Sequence, residues 1–104
     1  MTDFLEVHTT IDSQEAAQKI AEALVAKRLA ACVQISGPIT STYWWQGKIE
    51  QAEEWVCTAK TRSELYDQLE QAIRDAHTYD VPEILAVPIA AGNQSYLDWI
   101  RHET

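Results

Sequence analysis

Two long extended segments flank the dipeptide Gln46-Gly47, and no other feature of the sequence constrains the fold as much. Each segment is about 13 residues long, whereas most strands have about five or six. Glycine accepts the positive φ of a two-residue turn, so the segments are predicted to be the arms of a β-hairpin. Gly37-Pro38 interrupts the first arm and predicts a bulge or bend there. Because a small sheet cannot cover such long arms, the outer half of the hairpin is expected to project beyond the core, carrying Thr42, Tyr43, Trp44 and Trp45.

The remaining segments alternate between strand and helix. A first strand is predicted over FLEVHTT, and Asp12, with Glu15 three residues later, predicts a capped helix that runs to about Lys27. Thr61 or Ser63 is expected to cap a second helix, which ILAVPIA follows as a further strand and SYLDWI as a terminal helix. The order β-α-β-β-α-β predicts an α+β, ferredoxin-like fold: one antiparallel sheet with two helices on one face.

Length and charge narrow the class of protein. The chain has the size of a single domain, residues 1–104, and a formal net charge of −8 from 16 acidic and 8 basic side chains. Such a charge repels phosphate backbones and anionic lipids, so neither nucleic acid nor a membrane is an expected partner. The sequence contains no apolar run of about 20 residues, so no segment is expected to span a bilayer as a helix. The first residues, MTDFLEVHTT, do not resemble a signal peptide, and a cytoplasmic location is therefore expected.

Two histidines are candidates for metal binding. His8 is predicted to close the first strand and His77 the second helix, which the topology brings to the same end of the sheet, near Asp80 and Glu83. Imidazole suits copper(II) and zinc(II). Two histidines fall short of the three or four ligands of most tight sites, and a histidine at a helix C-terminus also complements the helix dipole. Both interpretations of His77 stay open at this point.

The two cysteines, Cys32 and Cys57, are interpreted as reduced structural residues. If Trp45 pairs with Lys48 across the turn, and the same register continues along both arms, Cys57 faces Ser36. Cys32 then lies roughly 13 Å further along the strand. Such a separation excludes a disulfide or a shared metal ion.

No pattern in the sequence predicts an enzyme. Nucleophile elbows, phosphate-binding loops, dinucleotide fingerprints and HExxH zinc motifs are all absent from the sequence. The adjacent carboxylates Glu53 and Glu54 would point to opposite faces of a strand and could not act together. Thr9 and Thr10 precede the first helix, whose N-terminal amides offer a generic site for an anion.

Three stretches of the sequence together resemble the CutA family, which is named for divalent-cation tolerance. They are AACVQISGPITSTYWWQGKIEQAEEWVCTAKT, HTYDVPEILAVPI and SYLDWI, and they cover most of the chain in the family's order. The resemblance implies a ferredoxin-like subunit related in shape to PII proteins, a stable homotrimer, and a link to copper tolerance and copper binding. No enzymatic reaction is established for the family.

The resemblance also implies candidate metal ligands. Copper ligands described in the family map onto His8, where another member has cysteine, and onto the pair Ala76 and His77. Alanine cannot bind a metal, and imidazole replaces a soft thiolate at position 8. The implied cofactor is therefore copper(II) or another divalent cation such as zinc(II), bound weakly.

The aromatic hairpin is expected to form the contact between subunits. Its strands extend beyond the sheet, which leaves their edges unpaired and their aromatic rings exposed. A neighbouring subunit would pair with these edges and bury these rings. The predicted trimer interface consists of Tyr43, Trp44, Trp45 and Trp55. Two alternatives remain: a PII-like sensor that binds an anionic small molecule in the clefts between subunits, and a purely structural trimer.

Overall fold

The computed structural model describes residues 3–104, which form one antiparallel sheet and three α-helices. The strands lie in the order β2-β3-β1-β4, and each neighbouring pair is antiparallel. The elements are β1 (Phe4–Ile11), α1 (Gln14–Ala26), β2 (Cys32–Trp45), β3 (Lys48–Arg62), α2 (Tyr66–Ala76), β4 (Ile84–Pro88) and α3 (Gln94–Glu103), with a 3-10 turn at Ser63–Leu65. The predicted α+β, ferredoxin-like order of elements is confirmed.

The core lies between one face of the sheet and the helices α1 and α2. Alternate residues of β1 point to this face, so Val7, Thr9 and Ile11 are buried. The helices contribute the apolar side chains that recur at helical spacing, namely Ala17, Ile20, Leu24, Leu69, Ala72 and Ile73. The opposite face, which carries Glu6 and His8, is not covered by these two helices. The terminal helix α3 packs on part of it, where Arg101 lies over the Phe4 ring and Tyr96 lies beneath Lys60. The part around His8 is called the open face below.

Two predicted helix caps differ from the structure. Ser13, rather than Asp12, is the N-cap of α1: its backbone is extended and its Oγ accepts a hydrogen bond from the Ala16 amide at 3.0 Å. Thr61 does not cap α2, because it is buried and its hydroxyl donates to the Leu29 carbonyl at 2.7 Å. Ser63 opens a 3-10 turn instead, and α2 begins after it, at Tyr66, without a side-chain cap bond.

The hairpin of β2 and β3 projects as predicted. Its turn is Gln46-Gly47, with φ of 51° and 80°, between Trp45 and Lys48. The pairing with β1 ends at Trp55, so the outer part of the hairpin is a ribbon of only two strands. The described chain is correspondingly elongated, with principal extents of 45 × 26 × 23 Å.

The predicted bulge lies between Ser36 and Ile39, and it shifts the inner register by one residue. Cys57 therefore faces Ile35, not Ser36, while Cys32 faces Lys60. Both cysteines are free, as expected. Cys57 is buried, which raises the pKa of its thiol to about 11, so it remains protonated at neutral pH and acts as a small core residue.

Candidate functional site

The imidazole of His77 is engaged at both nitrogens. The Tyr79 amide donates to Nδ1 at 3.1 Å, so Nδ1 must accept and Nε2 must carry the hydrogen. Nε2 lies 2.8 Å from the Thr10 carbonyl oxygen, to which it donates. These two bonds hold the segment after α2 against the end of β1. A metal ion could use His77 only if one of them were broken.

His8 lies on the open face of the sheet, in the interior of β1 rather than at its end, because β1 continues to Ile11. Its Nε2 is 3.5 Å from Glu6 Oε1, on the same face two residues earlier. Its Nδ1 is 3.4 Å from Thr58 Oγ1 on β3. One ring nitrogen is thus oriented by a hydroxyl, and the other faces a carboxylate.

The two histidines approach the same region without forming a cluster. His77 contacts β1 at Thr10, two residues beyond His8. Within residues 3–104, no group of three or more His, Cys, Asp or Glu side chains is arranged to hold a metal ion. Asp80 and Glu83, expected beside the histidines, line a cleft that also includes Thr10 and Tyr79, the two residues that His77 bonds. A metal role for His8 and His77 stays a prediction.

That cleft extends along the outer part of the hairpin, from Glu54 to Trp45 beside the turn, and has a volume of about 820 Å³. Its walls come from the hairpin and from the segment after α2. They carry the rings of Tyr43, Trp45 and Tyr79 and the carboxylates of Glu50, Glu54, Asp80 and Glu83. Because side chains alternate along β2, Trp44 points away from the cleft that its two neighbours line.

Glu54 is the most unusual of these residues, since only 7% of it is exposed. The Tyr79 hydroxyl donates to Glu54 Oε2 at 2.8 Å. Burial and then this bond to the carboxylate raise the pKa of Tyr79 well above its usual value. Because 25 residues separate Glu54 from Tyr79, no local pattern in the sequence links them or predicts their contact.

We expect Tyr79→Phe to lower the free energy of unfolding by about 1–3 kcal/mol, because it leaves a buried carboxylate without its hydrogen bond. Urea denaturation at fixed protein concentration measures this. Tyr66→Phe is the matched control: it also removes a tyrosine bond to a carboxylate, that of Glu70, which keeps Arg74 as a partner. A loss in the control equal to that in Tyr79→Phe would contradict the prediction.

The tryptophans of the hairpin have different surroundings. Trp44 is 72% exposed and lies opposite Ile49, which is 64% exposed. Trp55 is half-buried and packs against the core, with its ring beside Gly37. The predicted interface therefore has its most exposed ring at the tip of the hairpin.

Comparison with known proteins agrees with this architecture. The model of the CutA1 divalent ion tolerance protein family matches residues 5–103. The divalent-cation tolerance protein CutA of Thermus thermophilus is 46% identical over 95 residues, which are 91% of this chain and 92% of that protein. The solved structure of that species' divalent cation tolerance protein (Cut A1) superimposes with a TM-score of 0.95 at 44% identity, covering 97% of this chain and 98% of that one.

A plant relative is longer. Protein CutA 1, chloroplastic, of Oryza sativa subsp. japonica is 41% identical over 98 residues, which are 94% of this chain but 55% of the rice protein. In the part of the chain that the structure describes, no helix is both long and apolar enough to cross a membrane. The family match spans nearly the whole sequence, and the chain belongs to the CutA1 divalent ion tolerance family.

Proposed function

We propose that this protein acts in divalent-cation tolerance as a non-catalytic homotrimer, and that it binds a divalent cation, copper(II) or zinc(II), through His8 and Glu6 on the open face of its sheet. Family membership supports the role in divalent-cation tolerance. Assembly and the cation site are supported by two separate features of the chain.

Self-association is supported by apolar side chains that one subunit leaves uncovered. On β4, Leu85 is the cross-strand neighbour of His8 and is 58% exposed, and Val87 is the neighbour of Glu6. The tip of the hairpin adds Trp44 and Ile49. Apolar surface next to unpaired strand edges is typical of a protein interface. Further copies of this chain are the partner we propose, in a closed ring of three.

The cation site is supported by the spacing of His8 and Glu6. Two ligands of a tetrahedral ion with bonds of about 2.1 Å lie about 3.4 Å apart. The observed separation of His8 Nε2 and Glu6 Oε1, 3.5 Å, is close to that value. If His8 Nδ1 donates to Thr58 Oγ1, Nε2 keeps its lone pair for the ion. Two donors make a weak site, which further copies of the chain would complete.

Calorimetric titration with copper(II) and zinc(II) tests the site. We expect His8→Ala to weaken binding roughly tenfold or more, because it removes a ligand outright. His102→Ala is the matched control, since this histidine is exposed on α3. His77→Ala is expected to change the affinity little, because both of its nitrogens are bonded elsewhere. Wild-type affinity in His8→Ala would disprove the proposed ligand.

The anionic-sensor alternative receives less support. Among the residues that the structure describes, the lining of the 820 Å³ cleft includes four carboxylates and no lysine, arginine or histidine, so the cleft would repel an anion. A cytoplasmic location stays a prediction from the sequence.

A further inference from the structure

The cleft beside the hairpin contains a buried acidic side chain, Glu54, that forms no ion pair with any of residues 3–104. Glu54 is more than nine-tenths buried, and the neutral Tyr79 hydroxyl is its side-chain hydrogen-bond partner in the structure. The ion pairs among residues 3–104 do not include Glu54. A carboxylate taken out of water normally has a positive partner, because one neutral donor offsets only part of the lost hydration. Among residues 3–104, the Glu54 side chain thus has a neutral donor and no positively charged partner, so the cleft has room for a cationic ligand beside it.

The other carboxylates of the cleft add to this charge. Glu50, Asp80 and Glu83 line the same volume, and none of them takes part in the ion pairs of the described residues. With Glu54 they bring up to four negative charges to one concave surface. Low-dielectric walls concentrate the field of like charges in a cleft, so the preferred occupant is positive and carries more than one charge.

The aromatic walls distinguish an organic cation from a metal ion. Tyr43, Trp45 and Tyr79 face the cleft. Tyr43 and Trp45, which also belong to the predicted trimer interface, are partly exposed in the isolated subunit. Ring faces attract ammonium groups and pack against methylene chains, whereas they offer nothing to a strongly hydrated divalent ion. The described residues also contain no set of three side chains arranged as metal ligands. Rings and carboxylates together suit a flexible alkyl amine.

We propose that this cleft binds a linear polyamine. Its ammonium groups pair with Glu54 and with the carboxylates of Glu50, Asp80 and Glu83, and its methylene segments lie against the rings of Tyr43 and Trp45. The cleft's volume of about 820 Å³ lies in the range of small-molecule sites, about 300–1,000 Å³. The site is separate from the His8–Glu6 pair and would give the protein a second, organic ligand.

Spermidine is the probe that tests this site. We expect calorimetry on the full chain to give saturable binding, and Glu54→Gln to weaken it roughly tenfold or more, as the loss of a charged hydrogen bond predicts. Glu53→Gln is the matched control: it removes the same charge from the adjacent, exposed position, which points to the other side of β3. Its spermidine affinity should equal that of the wild type.

Further variants keep the test decisive if Glu54→Gln folds poorly. Glu50→Gln changes an exposed cleft residue, and Trp45→Ala removes one wall of the cleft. Both should weaken spermidine binding without changing the mass measured by light scattering, while His102→Ala, at an exposed position on α3, should leave it unchanged. Absence of saturable binding by the wild type would overturn the proposal. An equal loss in Glu53→Gln and Glu54→Gln would also overturn it, because it would indicate general attraction to the net charge of −8.

Discussion

Replacing Trp44 by glutamate is expected to convert the proposed homotrimer of about 35 kDa into monomers of 11.8 kDa. Trp44 is 72% exposed in the isolated subunit, and its apolar neighbour Ile49 gives it no cover. If a neighbouring subunit buries the ring, each copy contributes about 1.5–3 kcal/mol, and the trimer loses three such contributions at once. Glutamate also places a charge in the contact, which adds a desolvation cost. Light scattering coupled to size-exclusion chromatography measures the mass directly.

Val25→Glu is the control for this change, because it adds the same charge at an exposed apolar residue of α1, away from the hairpin. The control should keep the mass of the wild type. A wild-type mass of 11.8 kDa, or a trimer that survives Trp44→Glu, would disprove the role assigned to the hairpin tip.

Gly37→Ala should destabilise the protein by about 3 kcal/mol or more, because two independent costs fall on one residue. Gly37 has a φ of +152°, a conformation that side chains rarely adopt. A Cβ at this position would also lie 2.7 Å from Trp55 Cδ1 and 3.0 Å from the Glu54 carbonyl oxygen. Trp55 cannot simply move, since it packs against the core. Urea denaturation at fixed protein concentration measures the loss.

Gly47→Ala separates the two costs. Gly47 also has a positive φ, +80°, but a Cβ there would meet no atom of the described residues within 4 Å, its two chain neighbours aside. Its replacement should therefore carry only the backbone cost, about 1 kcal/mol. Equal losses in the two variants would show that the contact with Trp55 has no energetic effect.

The succession of strands and helices could be predicted because each element leaves a local pattern. The long arms around Gln46-Gly47 predicted the projecting hairpin, and Gly37-Pro38 predicted the bulge. The consequence of the bulge was harder to foresee. The bulge makes Ile35, rather than the predicted Ser36, the cross-strand partner of Cys57. A bulge changes the inner register without changing any apolar pattern along the strand, so the sequence does not reveal this shift.

The site was less accessible to sequence reasoning. His8 and His77 were recognised as candidate ligands from their residue type and position. Only the structure shows that both nitrogens of His77 hold the segment after α2 to β1, while His8 faces Glu6. Hydrogen-bond partners depend on which backbone groups remain unpaired after folding, and residue type alone does not reveal them.

The sequence by itself determined the order of elements, the apolar faces of the helices and the projecting aromatic arms. Each of these depends on periodicity or on turn residues within about 15 positions. The tertiary structure decided that Glu54 is buried against Tyr79, and that Tyr43 and Trp45 face a cleft while Trp44 faces away. Such contacts join segments that are distant in the chain. These contacts depend on the twist of the sheet and on how the segment after α2 packs against the end of the sheet. Neither can be predicted from the order of residues along the chain.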